Sequence, residues 1–318
     1  MKIAFFTENR GRGKLPRTDL NMRTDLAWMC ALQSDHYFIG NDLSSVEEKY
    51  DIGIFIVPKT HSEIVSRLPI VETMRSMCKK VGIMQEGPHW YFQDYSLEEQ
   101  VWFYNTLTMM DFLLCHNEID VKYFKGLTHK PCYKMNALMI EDQIKPHIVN
   151  PDARDGVIIG GNMCNWYGGF DSYIVAQQFN ESVYVPSMGR KVDNEERLEN
   201  LNNLPYMSWS DWINNLSRFR YAVHLMRTHA AGTFALNCAY HGIPCIGYKG
   251  LDTQELCFPE LSVDVGDLYS AKLLVEKLMD KDFYNDVSKQ SKEKFNTLFG
   301  EKVYIYNMET IFKKVINE

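Results

Sequence analysis

Residues 221–247 read YAVHLMRTHAAGTFALNCAYHGIPCIG. The apolar run at 221–226, broken only by His224, suits a strand covered on both faces. A small-residue loop follows at 227–232, then a stretch of helical length at 233–241. Gly242 stands where a helix C-terminus favours glycine, and Pro244 opens a new apolar strand. Strand, loop, helix and strand in this order make one step of a parallel α/β sheet. Such sheets bind ligands beyond the carboxyl ends of their strands, where helix N-termini present unpaired N–H groups. Arg227, Thr228, His229, Gly232 and Thr233 fall at that place, and positive charge, hydroxyls and free N–H groups together suit a pyrophosphate. The blander roles are an N-cap for Thr233 and a packed loop side chain for His229.

The same alternation extends in both directions. Strands are expected at KIAFFT, HYFIG, DIGIFIV, KVGIMQ and FLLCHN, with helices over 20–34, 62–79 and 97–109. The proline-bearing polar stretch IKPHIVNPDARDG breaks the pattern and reads as a linker. Beyond it come strands GVIIGGN and SVYVPS and helices over 170–179 and 210–219. Two Rossmann-like domains are therefore expected, 1–148 and 149–300. A C-terminal helix at 301–318 carries Val303, Ile305, Met308, Ile311, Phe312, Val315 and Ile316 and is expected to cross back to the first domain.

A chain of 318 residues, 45% hydrophobic and 24% charged, can bury two cores of this kind. No stretch approaches the roughly 20 apolar residues of a membrane span. The apolar run after Lys2 is too short for a signal peptide. The eight cysteines include no C-x-x-C pair, so packed, reduced thiols in a cytoplasmic setting are expected, without metal.

Two further loops belong with the second domain. GGNMCNWYGGFD, 160–171, offers Gly161 and Asn162 after one strand, and Arg190 and Lys191 follow another. Trp209 stands before a helix capped by Ser210, where an aromatic ring is either core or a platform for a base. With these in place, LNCAYHGIPCI resembles the donor motif of GT-B glycosyltransferases, an acidic residue and glycine-rich turn followed by L-E-A-M-A-x-G-x-P-V-I. By this resemblance Asn237 matches the Glu that binds the donor ribose, and His229 the Glu that contacts the transferred sugar. The GGN…WYGGFD run is similar to the family's G-R-x…K-G-x-D, without its lysine, a charge that Arg190 and Lys191 are expected to supply. The resemblance implies a nucleotide diphosphate sugar, foremost a UDP-sugar, as donor, and no required cofactor or metal.

The first domain offers two candidate loops. TENRGRGKLPRTDLNMR, 7–23, gathers Arg10, Arg12, Lys14 and Arg17 on a chain of net charge -7. Such a loop fits a polyanionic acceptor such as double-stranded DNA, or is simply solvated. KVGIMQEGPHWYFQDY, 80–95, places Glu86 and His89 after a strand, where a base for an acceptor hydroxyl belongs. Its position, the MKIA start and the chain length resemble phage enzymes that glucosylate hydroxymethylated cytosine in DNA. The expected function is glycosyl transfer to a hydroxyl, with a hydroxymethylated base of phage-type DNA as leading acceptor and host cytoplasm as location. A glycan or small-molecule acceptor, a nucleotide-sugar epimerase and a non-catalytic sugar-nucleotide binding protein are the alternatives.

Overall fold

The computed structural model of the chain describes residues 1–8, 12–19, 21–22, 24–57, 69–144, 151–187 and 194–318. Contacts divide it into two units: Met1–Asp19 and Arg23–Ile140 with Glu301–Glu318, and Leu20–Met22 with Glu141–Gly300.

Unit one contains β1 (Ile3–Thr7), β2 (Arg12–Lys14), α1 (Thr24–Ala31), β3 (Asp35–Phe38), β4 (Tyr50–Val57), α2 (Ile70–Met77), β5 (Cys78–Gln85), α3 (Leu97–Met109), β6 (Phe112–Cys115), α4 (Glu118–Thr128) and β7 (Cys132–Lys134). The sheet order is β2-β3-β1-β4-β5-β6-β7, parallel except where β2 pairs antiparallel with β3. IAFFT and FLLC are buried along their whole length, as strands covered on both faces must be. The capping box expected of a well-formed helix start occurs at α3, where Ser96 and Glu99 satisfy each other's backbone N–H groups. The C-terminal helix, Glu301–Asn317, belongs to this unit and buries Tyr304, Met308, Phe312 and Val315, with Phe312 edge-on to Phe112 at 6.4 Å.

Unit two contains β8 (Asp155–Ile159), α5 (Gly169–Ala176), β9 (Val183–Val185), β10 (Leu201–Asn203), α6 (Trp209–Leu216), β11 (Phe219–His224), α7 (Thr233–His241), β12 (Cys245–Tyr248), α8 (Asp252–Cys257), β13 (Ser262–Val263), α9 (Leu268–Leu278) and α10 (Lys281–Lys294). Its six strands lie all parallel in the order β10-β9-β8-β11-β12-β13. From β8 the chain winds outward through β9 and β10, then returns to β11 and winds the other way. The reversal lies between the carboxyl ends of β8 and β11, where open α/β sheets bind their ligands.

Three expectations change. The helix expected through residue 79 stops at Met77, because Cys78 takes an extended backbone and pairs with Tyr50. Part of the glycine-bearing loop after β1 is strand β2, drawn onto the edge of the sheet by three paired residues. The N-cap of α6 is Ser208, two residues before Ser210: its hydroxyl accepts from the Asp211 N–H at 3.2 Å.

Candidate functional site

The reversal point of unit two is built by glycines that let helices start against strand ends. Gly168 is the left-handed N-cap of α5, at φ 63°, and any side chain there would overlap the Leu225 carbonyl. Gly232 is the left-handed N-cap of α7, at φ 68°, and a side chain would overlap Thr253, whose hydroxyl donates to the Gly232 carbonyl at 2.8 Å. Neither helix has a side-chain cap, which they share with α2 and α8, whereas Ser96, Asn117, Ser208, Asp267 and Asp280 cap α3, α4, α6, α9 and α10. The first-turn N–H groups of α5 and α7 are thus left for an anion, with the positive helix ends behind them.

Around these ends stand most of the residues singled out in the sequence. Asn162 is buried after β8, and its Oδ1 accepts from the Cys164 N–H at 3.0 Å. Arg227 donates from Nη2 to Asp171 Oδ2 at 2.7 Å, which raises its already high pKa, and the Tyr248 hydroxyl donates to the same oxygen at 3.4 Å. Thr228 is buried, Thr233 is the first residue of α7, and Asn237 is buried one turn further on. Gly161 takes a positive φ of 71° between β8 and Asn162. The His229 ring lies against the backbone of Gly250, just past β12. Arg190 and Lys191 lie outside the described residues.

Trp209 is 6% exposed and packs in the core of unit two, the first of the two roles open to it. His224, not singled out before, ends β11 with its ring edge-on to Phe234 at 4.9 Å and against Gly160. Burial pulls its pKa down to about 4, so it is neutral.

In unit one, the carboxyl end of β5 turns sharply. The Gln85 amide donates to the Pro88 carbonyl, and Gly87 takes a φ of 126°. This turn presents His89, whose Nδ1 lies 3.0 Å from Asp120 Oδ1 and whose ring lies 4.5 Å from Tyr123. The carboxylate partner of His89 is Asp120 on α4, and Glu86 is partly exposed in the same turn. Asp120 is almost fully buried and further held by Asn117, whose Nδ2 donates to Oδ2 at 3.0 Å. Burial pushes its pKa up to about 6, opposed by the bonds from His89 and Asn117. The sequence signal for Asp120 is Asn117 at a strand end with an acid three residues on, the pattern of a capped helix.

Arg17 makes a two-pronged ion pair with Glu301, at 2.7 and 2.9 Å. Arg12 on β2 lies 3.6 Å from Glu48, and its guanidinium stands over the Tyr37 ring. Lys14 is exposed on β2, and Arg10 lies outside the described residues. Among the described residues, no three His, Cys, Asp or Glu side chains are grouped to hold a metal ion. No helix there is long and apolar enough to cross a membrane.

No family model matches the chain, and no curated protein matches it by sequence. Solved structures do resemble it. Anabaena HepE in complex with UDP superposes with a TM-score of 0.70 at 8% identity, over 99% of this chain and 100% of that one. Sucrose-phosphate synthase from Thermosynechococcus elongatus gives 0.66 at 10% identity over the whole of both chains. The pneumococcal O-GlcNAc transferase GtfA, solved with UDP and GlcNAc, gives 0.65 at 7% identity over 87% of this chain, which spans 59% of that one. At these identities the likeness concerns architecture: two parallel-sheet units with the GT-B fold of these glycosyltransferases.

Proposed function

We propose that the chain is a glycosyltransferase that moves a sugar from a UDP-sugar to an acceptor hydroxyl. The observation that carries this reading is the pair of uncapped helix N-termini, α5 and α7, at the strand reversal of unit two. Their N–H groups and Arg227 would hold the donor diphosphate, and Gly161, Asn162, Thr228, His229, Thr233 and Asn237 would line the donor site. The fold shared with HepE, which was solved with UDP-glucose, supports the choice of donor.

In unit one, His89 is the proposed base. Asp120 accepts a hydrogen bond from Nδ1–H and thereby leaves Nε2 with its lone pair, and His89 remains 21% exposed. The acceptor oxygen bonds to the anomeric carbon while the bond from that carbon to the phosphate oxygen breaks. Its electron pair leaves with UDP, and the acceptor proton passes to Nε2. Glu86, in the same turn, would orient the acceptor.

Whether transfer is hexosyl or pentosyl is a question for the donor panel below. A carbohydrate hydroxyl is the favoured acceptor, since Arg17 and Arg12 both have carboxylate partners. The DNA reading rests on the exposed positions of Arg12 and Lys14 on β2, with Arg10 nearby in sequence. Incubation with a panel of UDP-sugars, followed by mass spectrometry of glycans and of hydroxymethylated DNA, tests both. UDP release with a glycan mass shift supports the main reading, and a DNA shift selects the second. Donor binding without turnover on any acceptor points to a binding protein, and a changed sugar still attached to UDP points to an epimerase.

A further inference from the structure

We propose that Asp171 and Tyr248 are positioning residues that aim Arg227 at the donor diphosphate, an inference that rests on the donor reading above. In the loops after β8 and β11, 160–168 and 225–232, Arg227 is the one arginine or lysine. It is half exposed, and such a side chain, left alone, spreads over many rotamers and loses that freedom on gripping a ligand.

Here the guanidinium is already fixed. Its Nη2 donates to Asp171 Oδ2 at 2.7 Å, and the Tyr248 hydroxyl donates to the same oxygen at 3.4 Å. That oxygen is itself a fixed point. Asp171 lies in the first turn of α5, and the next residue, Ser172, ties the helix to the end of β11: its hydroxyl accepts from the Leu225 N–H at 2.9 Å and donates to the Gly168 carbonyl at 2.8 Å. Tyr248 is the last residue of β12 and is buried. Arg227 is thus braced from two neighbouring strand–helix connections.

The geometry of the pair separates a poised cation from a closed one. At Arg17 both Nη atoms meet both oxygens of Glu301, so that edge of the fork is filled. Among the described residues Arg227 donates one hydrogen bond, from Nη2, so one two-hydrogen edge of the guanidinium, Nε with Nη2 or Nη1 with Nη2, stays open to two phosphate oxygens. The negative charge of Asp171 is neutralised by Arg227 and by the start of α5.

Titration calorimetry of the full chain with UDP tests this, using Asp171→Ala, Arg227→Ala and the double variant. Asp171→Ala is expected to weaken UDP binding about tenfold. It should cost nothing more once Arg227 is already alanine, because it acts only through Arg227. Equal or tighter binding by Asp171→Ala overturns the proposal, as does a loss that persists without Arg227. Tyr248→Phe removes one hydroxyl and serves if Asp171→Ala does not fold: a severalfold loss is expected, and none overturns the proposal. If the unaltered chain does not bind UDP, the donor reading falls first and takes this inference with it.

Discussion

His89 stands on Asp120 and beside Tyr123, and its proposed chemistry needs Asp120 as a carboxylate. Burial holds Asp120 protonated up to about pH 6, so turnover should rise as pH climbs through about 6 and then level off. A kcat–pH profile between 5 and 8 checks it. Asp120→Asn should remove that limb, and His89→Ala should lower kcat by about 10²- to 10⁴-fold with UDP affinity unchanged. Gly250 is the second residue to probe. Its φ of 107° disfavours any side chain, and a methyl group there would strike the His229 ring. Gly250→Ala should cost about 1–3 kcal/mol in thermal unfolding and weaken UDP-sugar binding. No sequence pattern announces either pairing: His89 and Asp120 are 31 residues apart, and Gly250 meets His229 across two connections.

At the scale of elements, His224 makes β11 sensitive to acid. Its folded pKa, about 4, lies below the ordinary 6.5, so the unfolded chain binds the extra proton between those values. Its stability contribution is complete above pH 6.5 and is lost as pH falls toward 4. The loss is roughly 3 kcal/mol at about 1.4 kcal/mol per pH unit. Chemical denaturation followed from pH 7 to pH 4 should show the decline, and His224→Leu should flatten it. The elements legible in the sequence were those whose residues carry their own pattern. β1, β4, β6 and β11 are mostly apolar, and α7 is framed by Gly232 and Gly242. β10 is LNN with two exposed residues, and α10, KDFYNDVSKQSKEK, buries only Tyr284, Val287 and Ser291. Each owes its form to neighbours, which a local pattern does not record.

At the scale of the molecule, the alternation of strands and helices was enough to expect two Rossmann-like units, because buried parallel strands advertise themselves as apolar runs. The donor half was legible as a location before it was legible as chemistry. The glycine-capped helix starts were visible, whereas Asp171 and Tyr248 became partners of Arg227 only when three connections were folded together. The C-terminal helix supplies a prediction at this scale. Deleting 301–318 removes Phe312 from its place against Phe112 together with Tyr304, Met308 and Val315. Several such losses, at about 3–5 kcal/mol for a buried phenylalanine alone, exceed the margin of most domains. Limited proteolysis of the shortened chain should digest residues 1–140 while a fragment of 141–300 survives.

That helix also sets an order of events during synthesis. Residues 1–140 leave the ribosome first, yet their core lacks one of its walls until 301–317 have been made. At about 5–20 residues per second, some 10–30 s pass in which the early half waits with an apolar face uncovered while the later half completes itself. The half born first is finished last, and the interval is when a chaperone would find it.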